Sequence, residues 1–491
     1  MEKISIIGSG FSSLSAACYM AKEGCSVTVF EKNRDIGGRA RQFKRKGFTF
    51  DVGPTFYWMP DVFEKFFGDF GKSPSDYYKL VRLDPGYEIY FKKGTSIRLS
   101  SDFEKIVHVF ENKEKGSGKF LRSFMKDAEY NYGVAINKVV YQPGDSALEL
   151  VMPSTISRLP QFYSSLSHQI RRHIKSPELR QILEFPVLFL GAKPSDIPAF
   201  YCFMNYADMK LGTWHIEGGM YELVKGLQQL AESLGVKIRT DSPVRKIDIQ
   251  NGKAKGIFIE DKFEETDLVI SGADYAFSES LIDKKYRNYS DKYWDTRVMA
   301  PSALLYYIGF DKKVENISHH TLFFDASFDE HAEKIYNKPD WPETPLFYAS
   351  FPSKTDRTLA PEGKETAIIL IPVASGLTET DELKKYYFRQ IIERMEKLTK
   401  QSLKDHILFY NSYATSDFIH DYNAYKGNAY GLSNILLQTA FLKPKVRNKK
   451  VENLFYTGQL TVPGPGVPST LISGKIASDL ALSYLNKTNH K

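Results

Sequence analysis

The chain has 491 residues, of which 42% are hydrophobic and 14% aromatic, and its formal net charge is +7. This length exceeds one compact core and favours a large enzyme built from two or three interleaved lobes. The modest charge comes without a basic tract or a reader motif, which argues against nucleic-acid binding. No apolar run reaches the length of a transmembrane helix.

The three cysteines, Cys18, Cys25 and Cys202, show neither a CxxC pair nor the spacing of metal ligands. They fit buried thiols in a reducing compartment, and the sequence predicts no metal site. Met1 leads almost directly into an apolar run, so we expect no signal peptide and a cytoplasmic protein.

The first predicted elements form a dinucleotide-binding unit, with a strand over Lys3–Ile7, a helix over Leu14–Glu23 and a strand over Cys25–Phe30. Gly8 allows the tight turn after the first strand, and Gly10 lets the backbone approach a pyrophosphate. The helix N-terminus offers free N–H groups to the phosphates. Glu31, about twenty residues past the glycines, can accept hydrogen bonds from an adenosine ribose.

The third glycine of this fingerprint is replaced by Ser13, which is still small enough for close packing of helix on strand. Taken alone, the turn would fit another βαβ unit equally well. However, Gly37-Gly38-Arg39-Ala40 and Gly53-Pro54-Thr55 follow soon after. A nicotinamide dehydrogenase has no need for a second glycine turn there, whereas FAD needs backbone and a cation along its pyrophosphate. The predicted cofactor is FAD.

Further motifs carry a family resemblance across both ends and the middle of the chain. They are Glu31-Lys32, Gly37 to Ala40, Phe50-Asp51-Val52-Gly53-Pro54, Trp58-Met59-Pro60, the run from Trp214 to Leu227, Tyr456-Thr457-Gly458 and the run from Pro463 to Pro468. In this combination and order the chain resembles the bacterial phytoene desaturase type of carotenoid desaturase. That family belongs to the broad amine oxidase-like group of FAD proteins.

The resemblance implies a set of FAD-binding residues. They are Gly8, Ser9, Gly10, Phe11, Ser12, Ser13, Glu31, Lys32, Gly38, Arg39, Ala40, Gly53, Pro54, Thr55, Val244, Gly458, Gly466, Val467 and Pro468. By resemblance, the backbone of Val244 covers the adenine edge. A predicted helix over Ser469–Leu485, with a proline near its start, points its N-terminus at the pyrimidine edge of the flavin, where its dipole stabilises the reduced state.

The expected fold is α/β, with a Rossmann-like FAD-binding lobe interleaved with a mixed-sheet substrate lobe and a helical membrane-facing insertion. We expect the FAD-binding lobe to take residues 1–110, 211–285 and 446–491, the insertion residues 111–210, and the substrate lobe residues 286–445. The basic amphipathic stretch His168–Lys175 could lie at a bilayer interface; an ordinary surface helix is the alternative.

Other elements are predicted in chain order from periodicity and turn residues. The strands are Tyr87–Lys92, Ser96–Leu99, Val236–Arg239, Leu268–Ala273, Ala303–Phe310, Leu346–Ser350, Ala367–Val373 and Leu454–Gly458; the helices are Glu111–Tyr141, Gly219–Leu234 and Glu379–Thr399. A hairpin turn is predicted at Asn251-Gly252.

The resemblance implies desaturation of a carotenoid, in which a hydride leaves an allylic C–H for flavin N5 and the neighbouring carbon loses a proton. Stepwise conversion of phytoene toward lycopene is the favoured reaction. Alternatives are a 3,4-desaturase of a hydroxylated or monocyclic carotenoid, a flavin amine oxidase, and a non-catalytic scaffold stabilised by FAD.

No proton acceptor is assigned. His215, Glu217 and Asp208 lie near a matched motif, but a structural role is favoured for each. No second glycine fingerprint exists for NAD(P)H, so oxygen or a membrane quinone is the expected electron acceptor. We expect peripheral association with the inner membrane, because the implied substrate is a hydrophobic polyene.

Overall fold

The computed structural model describes residues 1–92, 94–150 and 152–489. Its strands are β1 (Lys3–Ile7), β2 (Ser26–Phe30), β3 (Gln42–Arg45), β4 (Phe48–Asp51), β5 (Leu80–Arg82), β6 (Tyr87–Phe91), β7 (Ser96–Leu99), β8 (Trp214–Ile216), β9 (Lys237–Arg239), β10 (Val244–Gln250), β11 (Lys253–Ile259), β12 (Lys262–Glu265), β13 (Leu268–Ser271), β14 (Ser302–Phe310), β15 (His320–Phe324), β16 (Phe347–Ser350), β17 (Glu365–Val373), β18 (Ile407–Tyr413) and β19 (Leu454–Tyr456).

The α-helices are α1 (Phe11–Lys22), α2 (Pro60–Gly68), α3 (Phe103–Lys113), α4 (Ser117–Val134), α5 (Pro153–Ile156), α6 (Leu159–Tyr163), α7 (Leu166–Arg171), α8 (Pro177–Glu184), α9 (Phe203–Tyr206), α10 (Tyr221–Ser233), α11 (Tyr275–Ser280), α12 (Asp291–Asp295), α13 (Phe328–Tyr336), α14 (Asp381–Thr399), α15 (Thr415–Tyr422) and α16 (Val467–Asn489). Short 3₁₀ and π turns connect several of them.

The first sheet is parallel and has five strands, in the order β19–β13–β1–β2–β9. Strands β1, β13 and β19 are apolar and largely buried, as parallel strands covered by helices require, whereas β9 is an exposed edge strand. The sheet takes its strands from three separated parts of the chain, because β13 and β19 join the edge of β1 in parallel register. The predicted strands that end near residues 239, 273 and 458 therefore lie together as β9, β13 and β19.

The second sheet is mixed and has seven strands, in the order β18–β14–β17–β16–β15–β6–β7. Its pairings are antiparallel except for β6, which runs parallel to β15. This edge of the sheet comes from a segment that the sequence analysis placed with the first part of the FAD-binding lobe. One parallel and one mixed sheet with covering helices confirm the predicted α/β class.

A run of short helices, α3 to α9, separates β7 from β8 along the chain. The helix predicted over Glu111–Tyr141 is broken, because Gly116 adopts a left-handed conformation (φ 88°) between α3 and α4. In the stretch His168–Lys175, Ile170 and Ile174 are buried and the basic side chains are exposed. The apolar side of this stretch packs inside the protein and its basic side faces solvent, as in an ordinary surface helix. Among the described residues, no helix has the length and apolar character needed to cross a bilayer.

Helices α1 and α16 pack closely against each other beside the parallel sheet. A side chain at Gly474 would bring its Cβ within 2.3 Å of the carbonyl oxygen of Ser12. The hydroxyl of Ser15 donates to the carbonyl of Leu471 at 2.8 Å and ties the two helices together. Both helices start at the same end of the sheet, directly after β1 and in the loop after β19.

Candidate functional site

One cavity of about 850 Å³ extends from the carboxyl ends of the parallel strands to the mixed sheet and the helical segment. Of the predicted FAD-binding residues, all but Ser13 line it. Ser13 instead packs against β13, because a Cβ on Gly272 would lie only 2.0 Å from the Ser13 hydroxyl oxygen. Its small side chain therefore permits the close packing of helix on strand that a third glycine usually provides.

The glycine turn after β1 is held by the acid at the end of β2. One carboxylate oxygen of Glu31 accepts hydrogen bonds from the backbone N–H and the hydroxyl of Ser9, at 3.0 and 2.7 Å. The other oxygen accepts from the backbone N–H of Asn33 at 2.8 Å. Gly10 begins α1 without any side-chain cap. Its first N–H groups are thus available to an anion in the cavity.

The second glycine turn lies against the first. Gly37 and Gly38 both have positive φ angles (101° and 55°), and a Cβ on Gly38 would lie 3.3 Å from the Cα of Gly10. Arg39 follows at the cavity wall, where one guanidinium nitrogen donates to the carbonyl of Asn428 at 3.0 Å and Nε is buried with no hydrogen-bond partner in the part of the chain that the structure describes. A cation with a free donor beside an uncapped helix N-terminus suits a pyrophosphate.

The start of α16 provides a second helix N-terminus at the cavity, formed by Gly466, Val467 and Pro468. Beneath the preceding turn lies Lys443, whose amine is buried and has no hydrogen-bond partner among the described residues. A Cβ on Gly464 would lie 3.3 Å from Nζ of Lys443 and 3.4 Å from the side-chain nitrogen of Asn434. Burial lowers the pKa of Lys443 to about 7. No motif marked this lysine in the sequence.

The mixed sheet forms an apolar wall of the cavity. Its lining residues are Ala303, Leu305, Leu322, Phe324, Phe347, Tyr348, Leu370 and Pro372. The helical segment faces this wall with Ile136, Val139, Phe162, Phe185, Leu188, Phe200, Tyr201, Phe203 and Met204. A space with two such faces suits an apolar ligand.

Tyr348 is the polar side chain within the sheet wall. Its hydroxyl is hydrogen-bonded to the hydroxyl of Thr55 at 2.9 Å and to Nδ1 of His320 at 2.6 Å. The His320 ring is fully buried and stacks on Phe56 with 4.0 Å between ring centroids. Sequence reasoning did not single out Tyr348 or His320, because a tyrosine and a histidine in two apolar strands carry no signal of their own.

None of the three side chains weighed as proton acceptors lines the cavity. Asp208 is buried against the hydroxyl of Tyr87, which donates to it at 2.7 Å, and burial raises the pKa of Asp208 to about 7. Glu217 forms an exposed ion pair with Lys79. His215 is buried with its Nε2 3.5 Å from a carboxylate oxygen of Asp356.

Exposed apolar side chains surround the mouth of the cavity. Tyr163 and Leu437 are 82% and 75% exposed, and Leu159, Leu436 and Leu442 are each more than 40% exposed. All five also line the cavity. Apolar side chains grouped at an entrance indicate a surface that meets another apolar phase.

The groups that line the cavity therefore fit FAD. Two helix N-termini, of which that of α1 has no side-chain cap, an arginine with a free donor and a carboxylate held beside a glycine turn face one continuous space. This set matches a molecule with a pyrophosphate in its middle, a ribose at one end and an aromatic ring that becomes anionic on reduction at the other.

Comparisons with known proteins agree with this arrangement. A family profile described as flavin containing amine oxidoreductase matches residues 11–482. A carotenoid 3,4-desaturase of Haloarcula japonica is 39% identical, with 96% of this chain and 97% of that protein covered. A 4,4'-diapophytoene desaturase of Staphylococcus aureus is 32% identical over 97% of this chain and 98% of its own length. Among solved structures, an oxidoreductase of Methanosarcina mazei superposes with a TM-score of 0.66 at 18% identity, covering 97% of this chain and all of that one.

Replacing Lys443 by methionine should stabilise the protein in a pH-dependent manner. The pKa of about 7, in place of 10.5, makes the folded state bind fewer protons than the unfolded state between these pH values. Burial of this amine therefore lowers the free energy of unfolding by about 5 kcal/mol below pH 7, and the loss disappears as the pH rises toward 10.5. Melting temperatures of the FAD-loaded Lys443→Met variant should exceed those of the wild type most at pH 6 and converge with them at high pH.

The exposed Lys404 provides the control, since Lys404→Met should leave the melting curve unchanged at every pH. A Lys443→Met effect of equal size at pH 6 and pH 10 would mean that the buried amine is not the cause.

Proposed function

Since this chain belongs to the family of flavin-containing amine oxidoreductases and takes FAD as its cofactor, we propose that it desaturates the 3,4 bond of a carotenoid. The observation that carries the proposal is the apolar space between the mixed sheet and the helical segment, continuous with the glycine turns. The choice of the 3,4 bond is supported by the 39% identity to the Haloarcula japonica carotenoid 3,4-desaturase.

In this proposal Glu31 and Val244 would hold the adenosine of FAD, and the α1 N-terminus and Arg39 would hold its pyrophosphate. Thr55 and the start of α16, at the border of the apolar part of the cavity, would hold the flavin. When bound, the flavin accepts a hydride from a C–H bond of the substrate. The chain itself aligns the polyene, excludes water with its aromatic walls, and favours negative charge at the α16 N-terminus.

Stepwise desaturation of phytoene, which the sequence analysis favoured, is the second candidate. It is supported by the 32% identity to the Staphylococcus aureus 4,4'-diapophytoene desaturase. Both reactions use the same flavin site and the same kind of apolar tunnel, so the products distinguish them.

Amine oxidation receives less support from the cavity. The positive charge of an amine substrate needs a partner in an apolar cavity, and carboxylates of the cavity wall already accept hydrogen bonds or form an ion pair. Glu149 accepts from the backbone N–H of Gly144 and Asp145, both at 2.8 Å. Asp274 accepts from the side chain of Asn428 at 3.2 Å, and Asp421 forms a salt bridge with Arg41.

The test is anaerobic incubation of FAD-loaded protein with carotenoids in liposomes, followed by chromatography of the pigments. The proposal predicts flavin bleaching and one added double bond at the 3,4 position of a hydroxylated or monocyclic carotenoid, with little change in phytoene. Phytoene converted toward lycopene would support the second candidate instead. Bleaching only by polar amines would contradict both.

Glu31→Ala should weaken FAD retention strongly. The substitution removes the proposed ribose acceptor and leaves the Ser9 N–H of the glycine turn without a partner, a cost of about 1–3 kcal/mol. The ratio of flavin to protein absorbance after gel filtration should fall, whereas the far-ultraviolet circular dichroism should be retained.

Glu279→Ala provides the matched control. Glu279 is also buried and accepts backbone hydrogen bonds, from Asn288 and Tyr289, but it does not line the cavity. We expect this variant to keep its FAD. Full flavin occupancy in Glu31→Ala would refute the ribose assignment.

We propose that the substrate comes from a membrane surface. The proposed electron acceptor is a quinone of the same membrane or oxygen. The exposed apolar side chains at the cavity mouth support this, because they would enter the interface of a bilayer at the point where a polyene leaves it. Peripheral association with the inner membrane of a bacterial cell follows from the same proposal.

Tyr163→Ser combined with Leu437→Ser should weaken binding to lipid vesicles by at least about 100-fold, because each buried apolar side chain contributes about 1.5–3 kcal/mol. Cosedimentation with phosphatidylcholine–phosphatidylglycerol vesicles measures the effect. Phe263 is 49% exposed and lies outside the cavity, so Phe263→Ser serves as the control. Equal loss of binding in both variants would contradict a docking surface at the mouth.

A further inference from the structure

Every double bond that a desaturase introduces releases a proton as well as a hydride. The hydride leaves with its electron pair for the flavin, but the proton needs a base in the wall of the cavity. An apolar wall offers no water to take it, and an unpaired charge there is costly. This inference rests on the desaturase function proposed above and asks which side chain of this chain can accept that proton.

Two imidazoles lie at or behind the wall. His331 lines the cavity, but both of its nitrogens are used: Nδ1 accepts from the backbone N–H of Leu346 at 2.9 Å, and Nε2 is 2.8 Å from the carbonyl oxygen of Pro372. Nδ1 therefore carries no proton and could take one only by breaking a buried backbone hydrogen bond. These bonds assign His331 to a structural role.

His320 is free to change its protonation state. Its Nδ1 faces the hydroxyl of Tyr348 at 2.6 Å, and its Nε2 has no hydrogen-bond partner among the described residues. Burial, followed by the nearby His215, lowers the pKa of His320 well below its ordinary value and keeps the ring neutral before the reaction. Several tyrosines line the cavity. Among the described residues, Tyr348 is the one of them whose hydroxyl is hydrogen-bonded to a histidine ring.

We propose that Tyr348 and His320 form a relay that accepts the proton released in each desaturation. As the C–H bond breaks and its electron pair forms the new C=C bond, the oxygen of Tyr348 takes the proton. The hydroxyl proton of Tyr348 passes at the same time to Nδ1 of His320. The tyrosine ends neutral and the histidine cationic, which balances the hydride delivered to the flavin.

A row of histidine rings leads from His320 to a buried carboxylate. The rings of His320 and His319 are 4.4 Å apart between centroids, and those of His319 and His215 are 4.9 Å apart. His215 ends this row against Asp356. Burial alone raises the pKa of Asp356, but the approach of His215 and the hydrogen bonds from Gly218 and Thr358 outweigh it and hold the pKa below its ordinary value. A buried carboxylate thus stays charged two rings away from His320.

The experiment uses the FAD-loaded full chain and two variants, Tyr348→Phe and His320→Gln. Flavin absorbance is followed after anaerobic mixing with the carotenoid that the product experiment identifies. We expect a limiting rate of flavin reduction about 100-fold lower in both variants. The dissociation constant of the carotenoid, the FAD content and the flavin midpoint potential should remain as in the wild type. A solvent isotope effect in D₂O should be present in the wild type and absent in Tyr348→Phe.

Tyr306→Phe provides the control for loss of a buried sheet hydroxyl. Tyr306 lies on β14 of the same sheet, and its hydroxyl donates to the carbonyl of Lys384 away from the cavity. Normal bleaching of the wild type together with wild-type rates in Tyr348→Phe and His320→Gln would overturn the relay alone. A changed dissociation constant with an unchanged limiting rate would assign the pair to substrate binding and also overturn it. A wild-type protein that no carotenoid bleaches would overturn the proposed function and the relay with it.

Discussion

The close packing of α1 on α16 is the constraint on which the site depends. Both helices begin at the carboxyl end of the parallel sheet, so their N-termini open into the same cavity. Gly474 is needed at their crossing because a Cβ there would clash with the backbone oxygen of Ser12. Ser15 and Ser478 add hydrogen bonds across the contact. Two helix dipoles are thereby directed at one space, which can stabilise a pyrophosphate and an anionic flavin together.

The cavity has a polar part and an apolar part. At the glycine turns, charged groups and backbone N–H groups are held in fixed hydrogen bonds, as in the pairing of Glu31 with Ser9. Beyond Thr55 the walls become aromatic and aliphatic, and Tyr348 with His320 is the polar pair behind the sheet wall. A polar cofactor and an apolar substrate can meet only where these parts join. The hydroxyl of Tyr348 lies at this border, 2.9 Å from the hydroxyl of Thr55.

Most of the cofactor end could be predicted from the sequence because its signals are local. A glycine turn between strand and helix, an acid at the next strand end and a proline at a helix start each determine backbone conformation within a few residues. Ser13 shows the limit of such matching. The sequence analysis included it among the FAD-binding residues and also expected it to allow close packing of helix on strand, and the structure places it against Gly272.

The sequence by itself determined the family, the cofactor and the order of the elements, since each depends on motifs that are continuous along the chain. The tertiary structure decided which polar groups face the substrate space. Thr55, His320 and Tyr348 are far apart in the chain and meet because β15 pairs with β16 beside the loop after β4. Lys443 is likewise buried by a tertiary contact, because its amine lies beneath the turn before α16. Burial and hydrogen-bond partners arise from contacts between distant segments, and no local pattern of residues encodes them.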